Sequence, residues 1–145
     1  MAVKMQQPAG NADKTVLTHV ENTLNPIIFP DSRVLLLGSM PSPKSREIGF
    51  YFGNPQNRFW RVVTTLYGEK PLQSIPEKID FCKRHHIALC DVLKACDIKG
   101  ASDASIANPV PHNIGALIQN SSICAIFTLG GTAAKFYKRY TEQQT

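Results

Sequence analysis

Long apolar runs, paired cysteines and a secretion signal are all missing from this chain of 145 residues. No stretch approaches the roughly 18 consecutive apolar residues that a membrane-spanning helix needs, which argues against a transmembrane protein. The N-terminal MAVKMQQPAGNADKT lacks the apolar core of a secretion signal, so we expect a cytoplasmic location. Cys82, Cys90, Cys96 and Cys124 form no Cys-x-x-Cys pair. We therefore expect reduced, mostly buried thiols and no metal site.

Charge is also scarce: charged residues make up 19% of the chain and apolar residues 43%. This balance is typical of a globular protein rather than a disordered one. Lys and Arg number 16 against 11 Asp and Glu, and the resulting net charge of +5 is a mild indication of a polyanionic partner. The length suits one domain, and we predict a flexible leader over residues 1–14 and a single domain over residues 15–145.

Three short apolar runs alternate with segments of helical pattern. The runs Arg33–Leu37, Ile87–Leu93 and Ile123–Leu129 are typical of strands that are buried on both faces. The alternation predicts an α/β fold, a three-layer α/β/α sandwich with a short, mainly parallel central sheet. The expected helices begin at Asn54-Pro55, at the capping box Ser74-Ile-Pro-Glu77, at Asn113 and after Gly130-Gly131, and residues 38–53 and 94–111 are expected to be loops.

The carboxyl ends of parallel strands meet at one edge of a sheet, where ligands of such folds bind. Gly38-Ser-Met-Pro-Ser42 follows the first strand, and backbone N–H groups in such a turn can bind a phosphate or a developing anion. An ordinary strand-to-loop turn explains this segment equally well. Asp91 ends the second strand, and a buried carboxylate needs a partner or a function. Capping of the following turn is the alternative explanation for Asp91.

The aromatic segment Phe50-Tyr-Phe-Gly-Asn-Pro-Gln-Asn-Arg-Phe-Trp60 is the third candidate. An aromatic ring at a cleft offers a flat surface for a planar base, and Tyr51 and Phe52 are the candidates for that contact. Filling of the core is the alternative role for these rings. Asn57 either begins a helix or faces the cleft and orients a water molecule. Lys44, Arg46 and Arg58 are candidates for contacts with nucleic-acid phosphates.

Three segments carry a specific resemblance: LLLGSMPSPKSREIGFYFGNPQNRFW, ALCDVLKACDIKGASDASIANPVPHNI and IFTLGGTAAKFYKRY. They closely resemble the DNA-deoxyinosine (hypoxanthine-DNA) glycosylase branch of the uracil-DNA glycosylase superfamily, over the range from Arg33 to Tyr140. The resemblance implies an α/β/α sandwich and a monofunctional glycosylase of base-excision repair that uses neither metal nor cofactor. Its partner would be double- or single-stranded DNA that carries a deaminated base, namely hypoxanthine, uracil or xanthine, and we expect a monomer.

The resemblance also implies roles for single residues. Asn57 corresponds to the family's important asparagine and would orient the attacking water, while the backbone amides of Gly38 and Ser39 would stabilise the departing base. Asp91 falls on the base-reading position, where a carboxylate accepts the N–H that hypoxanthine and uracil carry and adenine and cytosine lack. Tyr51 or Phe52 would stack on a base flipped out of the duplex. Phosphates of the DNA backbone would contact Ser42, Lys44, Arg46 and Arg58.

One departure from the family is that related proteins continue beyond the last helix with a further strand and a loop resembling LPSTSPAN. This sequence ends at Thr145, so we expect that last strand and helix to be missing and both stability and activity to be lower than in a longer chain. A non-catalytic nucleic-acid-binding remnant of the same fold is therefore an alternative function. A small-molecule hydrolase that uses Ser39 or Ser42 is a third possibility.

Overall fold

The structure is a computed structural model that describes residues 16–144, so the leader expected over residues 1–14 lies outside the described residues. None of the helices within this range is long and apolar enough to cross a membrane. In chain order the elements are β1 (Thr18–Glu21), β2 (Val34–Gly38), α1 (Pro43–Ile48), α2 (Phe59–Leu66), α3 (Ile75–Arg84), β3 (Ile87–Asp91), β4 (Leu93–Lys99), β5 (Ser102–Pro111), α4 (Ile114–Ile118), β6 (Ala125–Thr128) and α5 (Gly131–Gln144).

The three predicted apolar strands form one parallel sheet in the order β3-β2-β6. Val34 at the start of β2 lies opposite Ile87 of β3 and Ala125 of β6. All five residues of β3 are buried, as expected for a strand that is covered on both faces. β3 and β6 are shorter than their apolar runs, whereas β2 has the predicted length and is shifted by one residue toward Gly38.

Helices cover both faces of this sheet. Successive side chains of a strand point to opposite faces, so Leu35 and Leu37 pack with Phe136 of α5 and Ile114 of α4. Leu36 belongs to the other face, where the buried side chains include Phe50, Tyr51, Trp60, Phe81 of α3 and Leu89 of β3. This layering is the α/β/α sandwich that the sequence predicts.

The prediction of a loop over residues 94–111 is wrong, because β4 and β5 form an antiparallel hairpin there. The chain turns at Gly100, whose φ of 55° lies in the left-handed region that glycine adopts without strain. β1 adds to the hairpin, and the second sheet has the order β1-β4-β5. The pairing of β4 with β5 shifts register three times, so apolar and polar residues do not alternate regularly and the strand pattern is hidden in the sequence. The fold therefore holds an antiparallel sheet beside the expected parallel one.

Two expectations for the segment after β2 are also wrong. The predicted loop over residues 38–53 contains α1, which begins at the N-cap Ser42, whose Oγ accepts a hydrogen bond from the Ser45 N–H. Asn54-Pro55 does not begin a helix, because the Asn54 side chain closes a turn by accepting the Gln56 N–H at 3.0 Å. α2 begins at Phe59 instead. The capping box at Ser74 does begin α3, and its Oγ accepts the Glu77 N–H.

Candidate active site

A cavity of about 230 Å³ lies at the carboxyl edge of the parallel sheet, and we call it the edge cavity. Its wall is formed by the ends of β2 and β3, by the aromatic segment of residues 50–60 and by the tip of the β4–β5 hairpin. It brings together seven of the residues singled out in the sequence, and the other lining residues were not foreseen. The seven are Gly38, Ser39, Ser42, Tyr51, Phe52, Asn57 and Asp91, and the others are Met40, Pro41, Ser45, Ile98, Ala101, Asp103 and Leu129.

Asp91 places a carboxyl group inside the protein, since only 2% of the residue is exposed. Burial raises the pKa of this carboxyl to about 7, the Asn22 side chain opposes the rise by donating a hydrogen bond, and the charge of Asp103 adds to it. The Asn22 Nδ2 group lies 3.0 Å from Asp91 Oδ2. At neutral pH the group is therefore divided between a carboxylate that accepts hydrogen bonds and a carboxylic acid that also donates one.

Gly38 allows the backbone of β2 to approach this carboxyl group. The two residues are partners in the parallel register, and a Cβ atom at Gly38 would lie only 2.6 Å from Asp91 Oδ1. Real Cβ contacts of that length essentially never occur, so no larger residue fits here without displacing the carboxyl. The close approach of the carboxyl therefore accounts for the glycine at this position. Neither a turn nor a positive φ requires a glycine here.

Phe52 covers one side of the edge cavity in a strained backbone conformation. Its φ is 53°, which for an aromatic residue costs about 1–3 kcal/mol and is found mainly at functional sites. The ring lies 4.2 Å, centre to centre, from Phe59 and about 3.5 Å from the position of a Cβ at Gly38. It is half-buried, so part of its surface is open to a ligand.

Tyr51 is chiefly a structural residue, although it also lines the edge cavity. It is 1% exposed, its hydroxyl donates to the Leu24 carbonyl at 3.3 Å, and its own carbonyl accepts the Trp60 indole N–H at 2.9 Å. Burial raises the pKa of its hydroxyl far above the ordinary value. Of the two rings expected to stack on a base, Phe52 is therefore the better placed.

Asn57 combines the two alternatives that the sequence leaves open. Its Oδ1 accepts the Phe59 N–H at 2.8 Å at the start of α2, one residue ahead of the N-cap Arg58, and the same residue lines the edge cavity. A carboxamide has two acceptor lone pairs and two donor hydrogens, so this hydrogen bond leaves most of its capacity unused. An exposed amide held in place by a helix start is suited to bind a polar ligand.

The two serines of the Gly38–Ser42 turn are both engaged in hydrogen bonds. Ser39 Oγ donates to Asp103 Oδ2 at 3.0 Å, and Ser42 Oγ caps α1. No histidine is among the described residues that line the edge cavity, and the Asp103 carboxylate that accepts from Ser39 is a much weaker base than an imidazole. This arrangement speaks against the serine hydrolase considered above.

The three predicted phosphate ligands with positive charge do not line the edge cavity. Lys44 forms an exposed ion pair with Glu47 at 3.9 Å, and Arg58 is exposed just before α2. Arg46 is half-buried, its Nε has no hydrogen-bond partner in the described part of the chain, and burial lowers its pKa. Their contacts with DNA stay a prediction. Within residues 16–144 there is also no cluster of His, Cys, Asp and Glu that could hold a metal ion.

Asn22 and Asp103 are site residues that sequence reasoning missed. Asn22 follows the short strand β1, and Asp103 lies in the hairpin that we expected to be a loop. Neither belongs to a motif, and their relation to Asp91 depends on a second sheet that the sequence did not predict. Only the three-dimensional arrangement identifies them.

The parallel sheet with helices on both faces and a polar cavity at its carboxyl edge defines an α/β protein with a candidate ligand site. The fold is similar to the solution NMR structure of a Methanosarcina acetivorans protein described as a candidate uracil DNA glycosylase. The TM-score is 0.72 at 27% identity, and the match covers 83% of this chain and 76% of that one. Residues 26–144 match the family model of the uracil DNA glycosylase superfamily, and the chain belongs to this superfamily.

Two curated relatives carry the name hypoxanthine DNA glycosylase. The one from Methanosarcina barkeri is 39% identical over 83 residues, which is 56% of this chain and 52% of the relative. The one from Methanosarcina acetivorans is 31% identical over 114 residues, which is 77% of this chain and 72% of the relative. The chain thus spans about half the length of the first relative and nearly three quarters of the second.

Gly38→Ala is expected to destabilise the protein, because its methyl group would lie 2.6 Å from Asp91 Oδ1. Overpacking of this kind costs about 1–3 kcal/mol in the free energy of unfolding, which urea denaturation measures. Gly131→Ala is the matched control, since a Cβ there meets nothing within 4 Å. Equal stability of Gly38→Ala and the parent would show that the carboxyl does not approach the backbone this closely.

Asp91→Asn is expected to stabilise the protein at pH 8. The pKa of Asp91 is about 7 in the folded state against an ordinary 3.8, so only the unfolded state ionises between about pH 4 and pH 7. The parent therefore loses stability as the pH rises through that range, and the amide variant does not. At 1.36 kcal/mol per pKa unit, this shift corresponds to a difference of roughly 4 kcal/mol above pH 7. A difference that is the same at pH 4 and pH 8 in urea denaturation would contradict the raised pKa.

Proposed function

We propose that this protein is a DNA glycosylase of base-excision repair that hydrolyses the N-glycosidic bond of deaminated bases in DNA, namely hypoxanthine, uracil or xanthine. Its membership of the superfamily and the names of its relatives support a glycosylase reaction. The observation that carries the choice of base is the buried Asp91 carboxyl, which lines the edge cavity and lies against Gly38. Residues around that carboxyl supply the other parts of the proposed reaction.

Asp91 distinguishes deaminated bases from normal ones through a single proton. Hypoxanthine carries an N–H at N1 and uracil carries one at N3, whereas adenine and cytosine have bare nitrogens at those positions. An ionised Asp91 accepts a hydrogen bond from the N–H and repels the lone pair of a bare nitrogen. A buried charged acceptor discriminates strongly, because a mismatched base would leave it without a partner.

Asn57 acts on the water and on the leaving base without changing its own protonation. Cleavage of the N-glycosidic bond places positive charge on the sugar and negative charge on the departing base. An amide does not take up a proton at neutral pH, so Asn57 orients the water through its carbonyl and donates its N–H to the base. Preorganised donors of this kind contribute about 10²–10³ in rate.

Phe52 supplies the surface on which the flipped base stacks. Removing a base from the duplex costs a few kcal/mol, and base–aromatic stacking returns about 1–3 kcal/mol of that cost. The strained backbone at Phe52 and its contact with Phe59 hold the ring at the wall of the edge cavity before any ligand arrives. The backbone amides at Gly38 and Ser39 bind the developing base anion, and Ser42, Lys44, Arg46 and Arg58 contact phosphates.

The lining of the edge cavity supports a monofunctional reaction. A glycosylase that also cleaves the DNA strand attacks the sugar with an amine and forms a Schiff base. None of the described residues lining the edge cavity is a lysine. Water is then the nucleophile, and the product is an intact strand with an abasic site.

Asn57→Ala is expected to reduce the single-turnover rate of hypoxanthine excision from a duplex by about 10²–10³. Because Asn57 also accepts a hydrogen bond at the start of α2, the second variant is Asn57→Ser, which keeps a side-chain oxygen for the Phe59 N–H but lacks the amide. Both variants should lose the rate while DNA affinity changes little, and the exposed neighbour Gln56→Ala should behave as the parent. An unchanged rate in Asn57→Ser would exclude the proposed role. Binding of DNA by the parent without any excision would instead favour the non-catalytic alternative.

The rate of hypoxanthine excision is expected to rise with pH to a plateau above about pH 7, because only the ionised Asp91 accepts the N1–H. Asp91→Asn should remove this titration and relax the discrimination against adenine. Asn22→Ala should move the midpoint to higher pH, since Asn22 donates the hydrogen bond that lowers the Asp91 pKa. Single-turnover rates between pH 5.5 and pH 8.5 measure all three effects. A parental midpoint that Asp91→Asn leaves in place would assign the titration to another group.

A further inference from the structure

A second cavity, of about 310 Å³, lies next to the edge cavity and has the opposite charge. Phe52 and Asn57 line both cavities and form the partition between them. Among its described lining residues the only ionisable groups are Arg61 of α2 and Lys78 of α3. The edge cavity has Asp91 and Asp103 and no cation among its own. We call the second one the basic cavity.

The two cations of the basic cavity have no carboxylate partner among the described side chains, those of residues 16–141. The ion pairs of the described chain use other basic residues, namely His19, Lys44, Arg84, His85 and His86. Lys78 Nζ lies 5.5 Å from the centre of the Trp60 ring, and burial lowers the pKa of Lys78. A half-buried ammonium that meets only an aromatic face gains from an anion that approaches it.

We infer that the basic cavity binds a backbone phosphate of the DNA strand whose base occupies the edge cavity. This inference rests on the proposed function. The covalent connection within one strand places a phosphate a few bonds away from each base, and the partition of Phe52 and Asn57 separates the two cavities by about one side chain. The negative charge of Asp91 and Asp103 repels phosphate from the edge cavity, while Arg61 and Lys78 attract it to the neighbouring one.

The division of charge also fixes the direction in which the nucleotide enters. A phosphate held by Arg61 and Lys78 leaves the base on the side of Phe52 that faces Asp91. The same phosphate deep in the edge cavity would lie close to two carboxyl groups, whose negative charge opposes its binding there. The basic cavity thus aligns the strand and the edge cavity identifies the base, in keeping with the usual separation of phosphate contacts from base contacts.

The test is the salt dependence of binding to a duplex with one 2′-fluoro-deoxyinosine, whose glycosidic bond resists hydrolysis. Removing one phosphate contact lowers the magnitude of the slope of log K against log salt by about 0.9. Because Arg61 and Lys78 hold the same phosphate, we expect about that reduction for the double variant and a smaller reduction for each of Lys78→Gln and Arg61→Gln. Lys78→Arg, which keeps the charge, should retain the parental slope.

Two cations outside the basic cavity serve as matched controls, because each also lies near an aromatic ring. Lys83 lies on α3 with its Nζ 6.0 Å from the Phe29 ring, and Arg139 lies on α5 near the Phe136 ring, and neither lines the basic cavity. Lys83→Gln and Arg139→Gln should leave the slope unchanged. An unaltered slope in the double variant, or equal reductions in the controls, would overturn the inference.

The following outcomes distinguish a failure of this inference from a failure of the proposed function. If the parent excises hypoxanthine and the double variant keeps the parental slope, the inference fails and the glycosylase function stands. If the parent binds no DNA, both fail. Saturable binding of inorganic phosphate that depends on Lys78, together with an unaltered slope for DNA, would assign the basic cavity to a free anion and overturn its assignment to the strand.

Discussion

The close approach of Gly38 to Asp91 is the constraint on which the rest of the site depends. The parallel register places these residues opposite each other at the last step of the ladder, and the Gly38 carbonyl accepts the Val92 N–H at 2.8 Å. β3 ends there, and the chain turns through Val92 into β4 of the second sheet. The Asp91 residue is therefore held where one sheet ends and the other begins, and the hydrogen bond from Asn22 keeps its carboxyl beside the β2 backbone.

The aromatic segment, residues 50–60, forms another wall of the edge cavity. Phe50, Tyr51 and Trp60 fill the core beneath it, and the Trp60 indole fixes the Tyr51 carbonyl. This anchoring leaves the next residue, Phe52, in a left-handed conformation with its ring at the cavity. The packing of the neighbouring aromatic residues offsets the free-energy cost of that backbone conformation. A rigid wall of this kind reduces the loss of conformational entropy when a planar ligand binds.

The sequence predicted those parts of the molecule that local chemistry determines. Continuous apolar runs located β2, β3 and β6, and the capping box located α3. Asp91 could be singled out because it ends a buried strand, Phe52 because three aromatic residues follow one another in a segment rich in Gly and Pro, and Asn57 because it matches the asparagine of the family that the sequence resembles. The β4–β5 hairpin could not, because its register shifts remove the alternation that identifies a strand. Asn22 and Asp103 were missed for that reason, since only the second sheet brings them to Asp91.

The separation of charge across Phe52 and Asn57 explains why a protein with a net charge of +5 has an acidic site. A carboxyl that identifies a base by its N–H must be buried to discriminate, and its negative charge then opposes the approach of a polyanion. Cations inside the same cavity would neutralise the carboxyl and lower its pKa, which would change the proton that it presents near pH 7. Placing Arg61 and Lys78 behind an uncharged partition keeps their attraction for the strand and shields the Asp91 carboxyl from them. Under the proposed function, the two requirements of reading a proton and holding a phosphate are thus met by neighbouring cavities rather than by one.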